Sequence, residues 1–129
     1  MIIRGTRRRG LAAFAVLLGI FLVAAPGAWA HAIIVSSKPA ANANVTIGPV
    51  AILLQYNSRI DVAHSRVSLV DPAGKVTALK AAAGSAPGSL TSQGVTDAPG
   101  KWIIRWQVLS VDGHITRGDI PFLAVTATP

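Results

Sequence analysis

Beyond residue 30, apolar residues alternate with polar ones in short segments separated by Gly, Pro, Asn and Asp. A period of two residues is typical of β-strands, whose successive side chains point to opposite faces of a sheet. The clearest segment is 101–109, in which Trp102, Ile104, Trp106 and Val108 share one face. No long stretch of this part of the sequence repeats apolar residues at helical spacing. The pattern therefore predicts an all-β fold.

Seven such segments predict a Greek-key antiparallel β-sandwich of the cupredoxin-like or immunoglobulin-like kind. The expected strands are 32–36, 50–57, 62–70, 75–79, 89–93, 101–109 and 119–125. Segment 89–93 is expected at a sheet edge. Segment 81–89 is rich in Ala, Gly, Ser and Pro, which favours a flexible loop. Tyr56, Trp102 and Trp106 occupy strand-alternating positions, so we expect them in the core.

Residues 1–30 have the pattern of a cleavable signal peptide. A basic start is followed by an apolar run at 11–25 and by the small-x-small triplet Ala28-Trp29-Ala30. The alternative is an uncleaved membrane anchor, but the apolar run is short for a spanning helix. We therefore expect a signal peptide at 1–30 and one exported domain at 31–129, which is monomeric and has no membrane anchor. The export route stays open between the general and the twin-arginine pathways.

Removal of the signal peptide changes the charge of the protein. The whole chain has a formal charge of +7, but four arginines lie within residues 1–30. The remaining basic residues are scattered along the sequence, which argues against nucleic-acid binding. The absence of cysteine excludes disulfides, thiolate zinc sites, cysteine nucleophiles and blue-copper centres.

Cleavage after Ala30 would place His31 at the new N-terminus, where one residue offers both an α-amine and an imidazole. Asp112 and His114 flank Gly113 and add a carboxylate and a second imidazole. Nitrogen and oxygen donors of this kind suit copper(II). The alternative is a plain hairpin turn, since Asp-Gly between two strands is a strong turn signal, and a turn can also present ligands. His64 is expected to be a solvated histidine outside the site.

Three blocks of the sequence resemble the CopC family of periplasmic copper-resistance proteins. The first is His31-Ala32 followed by the Ser-Ser-Lys-Pro-Ala segment 36–40, and the second is the Gly-Pro-Val-Ala-Ile-Leu-Leu-Gln-Tyr segment 48–56. The third is segment 106–114, which resembles the family's Trp-Arg-x-x-Ser-x-Asp-Gly-His pattern and is followed by Gly118 and Phe122. Together the blocks span nearly the whole of the predicted domain.

The resemblance implies a cupredoxin-like sandwich that binds copper(II) through His31, Asp112 and His114. It also implies a CopD-type inner-membrane copper transport protein as partner. Some members bind copper(I) through a methionine-rich loop, but the only methionine here is Met1. Others add a glutamate ligand near the end of the second strand, where this chain has Asn57-Ser58 instead.

These features together favour a non-enzymatic, exported copper(II)-binding protein that sequesters copper or delivers it. One alternative is a copper-dependent oxidative enzyme that uses an N-terminal histidine. Such enzymes are generally larger and present aromatic side chains to a polymer. A second alternative is a metal-free sandwich that serves adhesion or assembly.

Overall fold

The computed structural model describes residues 31–128, and this part of the chain forms nine β-strands and no helix. The strands are β1 (Ile34–Lys38), β2 (Asn44–Thr46), β3 (Gly48–Tyr56), β4 (Ile60–Val70), β5 (Val76–Leu79), β6 (Ala82–Ala83), β7 (Ser89–Thr96), β8 (Gly100–Ser110) and β9 (Ile115–Val125). The predicted signal peptide lies outside the described residues. Within them, no helix is present that is long and apolar enough to cross a membrane.

The strands form two sheets, which confirms the predicted all-β sandwich. One sheet has the order β1-β3-β7-β6 and the other the order β2-β9-β8-β4-β5. Strand β2 runs parallel to β9, whereas the other pairs are antiparallel. The short parallel pair is a departure from the purely antiparallel expectation.

Two strands were missed because they are too short to show a period of two. Strand β2 has three residues, and β6 has two within the segment expected to be a flexible loop. The expectation that 89–93 lies at an edge is wrong, because β7 pairs with β3 on one side and β6 on the other. Leu90 and Ser92 of β7 are buried.

The core lies between the two sheets and is built from alternate residues of the longest strands. Strand β8 contributes Trp102, Ile104, Trp106 and Val108, all buried as the alternation predicts. Tyr56 packs edge-on against Trp106, with ring centroids 5.3 Å apart. Aromatic pairs prefer this arrangement because the positive ring edge meets the negative ring face. The prediction that these aromatic residues belong to the core is confirmed.

Strand β9 begins at Ile115, four residues earlier than predicted. Its first half contains Gly118, which weakens a strand signal but is explained by packing. Gly118 pairs with Trp106 on β8, and an added Cβ would lie 2.4 Å from the indole Cζ2 atom. The earlier start leaves only residues 111–114 to join β8 and β9. This hairpin loop brings the predicted ligands to one end of the sandwich.

Candidate metal site

Residues 111–114 form a tight hairpin loop between β8 and β9. The amide of Ser110 donates to the carbonyl of His114 at 2.8 Å, and the amide of Gly113 donates to the carbonyl of Ser110 at 2.9 Å. Gly113 has a φ of 93°, which a residue without a Cβ adopts at little cost. The predicted turn at Asp112-Gly113 is confirmed. The same turn presents Asp112 and His114 on the surface.

The buried Ser110 holds Asp112, the carboxylate of this loop, in place. Its hydroxyl donates to Asp112 Oδ1 and accepts from the amide of His114 at 3.3 Å. The imidazole Nδ1 of His114 lies 3.3 Å from the same carboxylate oxygen. The pKa of Asp112 is lowered, first by the Ser110 hydrogen bond and then by those from His114. Asp112 is therefore held as an anion beside an imidazole.

The segment 31–33 is fastened to both sheets. The hydroxyl of Thr116 on β9 donates to the carbonyl of Ala32 at 2.9 Å. Directly after β3 of the other sheet, Asn57 accepts from the amide of Ile33 at Oδ1 (2.8 Å), and the amide of Asn57 donates to the carbonyl of Ile33 at 2.9 Å. Ala32 is buried in the core between these attachments. His31 is consequently held near the β8–β9 loop.

The imidazole of His31 lies against the imidazole of His114. Their ring centroids are 4.7 Å apart and their planes are inclined at 76°. Both residues are exposed to solvent. The structure thus brings together the two predicted histidine ligands, which are 83 positions apart in the sequence, and places Asp112 against the second of them.

The three side chains do not form a ready-made ligand set. Within residues 31–128, no group of three or more His, Cys, Asp or Glu side chains is arranged to hold one metal ion. His64 lies on β4, where its Nδ1 is 2.9 Å from Asp61 Oδ2 and its side chain is largely exposed. This agrees with the expectation of a solvated histidine, although it stands in a strand with a carboxylate partner.

Sequence reasoning did not find the residues that position the site. Ser110, Thr116 and Asn57 hold the hairpin loop and the segment 31–33 through hydrogen bonds. A signal existed only for Ser110, which belongs to the Ser-x-Asp-Gly-His part of the third block. The side-chain amide oxygen of Asn57 accepts the backbone amide of Ile33.

Comparison with known proteins gives one family. The sequence model of one protein family, described as the CopC domain, matches residues 34–125. Protein YobA of Escherichia coli K12 is 33% identical over 100 residues, covering 75% of this chain and 81% of YobA. YobA of Shigella flexneri matches to the same extent.

Solved structures show the same fold. CopC from Methylosinus trichosporium OB3b is 28% identical with a TM-score of 0.70, covering 77% of this chain and 98% of that one. PcoC from Escherichia coli, described as a methionine-rich copper resistance protein, is 24% identical with a TM-score of 0.60. The latter match covers 74% of this chain and 100% of PcoC. At this identity the PcoC match supports the fold alone.

Proposed function

Because this chain belongs to the CopC family, we propose that it is an exported copper(II)-binding protein. Its role would be to sequester copper in the periplasm or deliver it to a CopD-type inner-membrane protein. The proposal includes cleavage after Ala30, so that the working protein is a monomer that begins at His31. The observation that carries it is the contact between the His31 and His114 rings, beside Asp112.

The proposed ligands are the α-amine and imidazole of His31, the imidazole of His114 and the carboxylate of Asp112. Amine and imidazole of one residue form a chelate, and nitrogen donors with an anionic oxygen suit the tetragonal preference of copper(II). The side chains of His114 and Asp112 are 50% and 38% exposed. Small rotations at the surface would therefore turn both toward a shared ion without disturbing the core.

Exposure of the ligands also supports exchange of the ion over permanent retention. A site at the end of a sandwich, on a hairpin loop and a terminal segment, is reached directly by a partner. Copper is then a cargo, and the protein needs no catalytic group. Consistent with this, the tryptophan, tyrosine and phenylalanine residues within 31–128 are all buried. That leaves no aromatic surface there for a polymer substrate, which argues against the oxidative-enzyme alternative.

Alanine variants test the ligand set. The protein that begins at His31 is titrated with copper(II) by calorimetry, alongside H31A, H114A and D112A. H64A is the matched control, since it also removes an exposed imidazole that faces a carboxylate. We expect each of the first three variants to bind at least about tenfold more weakly and H64A to bind like the parent protein. Equal affinity in H114A and the parent, or loss only in H64A, contradicts the proposed site.

Export is tested separately by mass spectrometry of the secreted protein. Cleavage after Ala30 predicts an N-terminal peptide that begins with His31 and carries a free amine. An N-terminus at any other residue contradicts this part of the proposal.

A further inference from the structure

The outer face of the five-stranded sheet carries two rows of polar side chains across β4, β8 and β9. Register places Arg66 opposite Gln107 and Gln107 opposite Arg117. In the adjacent row, the order is Ser68, Arg105 and Asp119. These six residues line a cavity of about 570 Å³, together with Trp106 and Gly118. We call this cavity the arginine groove.

The arginine groove carries a net positive charge, because its single carboxylate, Asp119, neutralises only one of its three arginines. Arg105 donates to both oxygens of Asp119, at 3.0 and 3.1 Å. Arg117 donates through Nε to Gln107 Oε1 at 2.8 Å. Within residues 31–128, the structure shows no hydrogen bond or ion pair for the guanidinium group of Arg66 and no carboxylate partner for that of Arg117. Three guanidinium groups against one carboxylate leave a formal charge of +2.

We propose that the arginine groove is a docking surface for an acidic segment of a partner protein. Guanidinium groups match carboxylates because their parallel N–H donors meet both oxygens. Arg66 and Arg117 are two strands apart, which places their backbones roughly 10 Å from each other. An extended segment laid across the strands would set carboxylates at both sides, while Arg105 remains paired with Asp119.

The shape and composition of the groove favour a protein segment over a membrane or a nucleic acid. Its lining includes no exposed aliphatic side chain to enter a lipid layer. The tryptophan, tyrosine and phenylalanine residues within 31–128 are buried, so none of them is available to stack on bases. A concave surface also suits an inserted chain better than a flat bilayer.

The arginine groove lies close to the proposed copper site. Arg117 follows His114 by three residues, and β9 has begun at Ile115, so their backbones are roughly 10 Å apart. A partner docked in the groove would therefore lie beside the hairpin loop. The docking itself requires no metal, so it is measured without copper and can fail or succeed independently of the proposed function.

The experiment measures binding of a fluorescent peptide of alternating Glu and Ser to the metal-free protein by anisotropy at low salt. The test variant is R66Q/R117Q. The matched control is K38Q/K80Q, which removes the same amount of positive charge. Lys38 and Lys80 are exposed and line a different cavity, on the four-stranded sheet. A Gln-Ser peptide controls for charge, and circular dichroism melting confirms that both variants are folded.

We expect the Glu-Ser peptide to bind the parent and K38Q/K80Q equally, and R66Q/R117Q at least about tenfold more weakly. Binding should weaken as salt rises, and the Gln-Ser peptide should not bind. An equal loss in both double variants overturns the proposal, because net charge alone would then explain binding. Absence of peptide binding overturns it as well, including the case in which phosphatidylglycerol vesicles or duplex DNA bind the parent instead.

Discussion

The ring centroids of His31 and His114 lie 4.7 Å apart, although the two residues are 83 positions apart in the sequence. Two sets of hydrogen bonds hold them there, one on the hairpin loop and one on the segment 31–33. Both imidazoles lie outside the hydrophobic core, although the neighbouring Ala32 is buried in it. The geometry of the candidate site therefore depends on a few hydrogen bonds, and single substitutions can remove each of them while the sandwich stays folded.

Replacement of Asn57 by alanine should loosen the segment that carries His31. The variant N57A loses the acceptor for the Ile33 amide. Because one intramolecular hydrogen bond contributes about 1 kcal/mol, we expect copper(II) affinity to fall about fivefold. Hydrogen exchange at Ile33 should become faster, since its protecting acceptor is gone. Copper titration and amide exchange by NMR measure the two effects.

The control for this variant is N44A, which removes an exposed asparagine side chain on β2. It should leave both copper affinity and exchange at Ile33 unchanged. N57D keeps an acceptor and should protect the Ile33 amide as the parent does. Slow exchange at Ile33 in N57A would show that Asn57 does not position the segment.

Replacement of Gly118 by alanine should destabilise the fold. The added Cβ would lie 2.4 Å from Trp106 Cζ2 and 2.7 Å from Cε2, so the indole or the strand must move. Overpacking of this kind costs typically about 1–3 kcal/mol, and chemical denaturation measures the loss. In a W106F background the contacting atoms are absent, so the added cost of G118A should shrink. A cost that is the same in both backgrounds would rule out this contact as the cause.

The ion pair between Arg105 and Asp119 predicts a pH dependence of stability. The hydrogen bond from Arg105 lowers the pKa of Asp119, followed by charge attraction to the same group. Since the folded pKa is below the unfolded value of about 3.9, the stabilisation is present above that value and is lost as pH falls through the folded pKa. The effect is small because both side chains are about half exposed.

Denaturation of D119N against the parent over a range of pH tests this sign. D119N should be slightly less stable at neutral pH and indistinguishable from the parent in acid. The control D97N removes a carboxylate that forms no ion pair within the described residues. A difference for D119N that persists unchanged into acid contradicts the assignment to the carboxylate charge.

The strand pattern was sufficient to predict the sandwich because burial on one face imposes alternation. The long strands β3, β4 and β8 were predicted within a few residues, and the aromatic residues were placed correctly in the core. Strands β2 and β6 were missed because two or three residues carry no period. Strand β9 was predicted too short because Gly118 weakens the local strand pattern. The glycine is needed for a tertiary contact with Trp106, which the local sequence does not reveal.

The proposed ligands of the site could be predicted from the sequence, but the residues that hold them in place could not. His31, Asp112 and His114 were selected by donor chemistry and by the resemblance to CopC proteins, and the structure places the two histidines in contact. The hydrogen bonds from Thr116 and to Asn57 span long stretches of sequence, so they follow from the packing of the two sheets. The coordination itself stays a prediction.

The most direct test compares the protein that begins at His31 with a version carrying one extra glycine before it. Copper(II) is titrated into both, and their electron paramagnetic resonance spectra are recorded. The extended form keeps every side chain but lacks an α-amine on His31. The account predicts much weaker binding and a changed spectrum for the extended form. Equal affinity and identical spectra would contradict a site built on the amine and imidazole of His31.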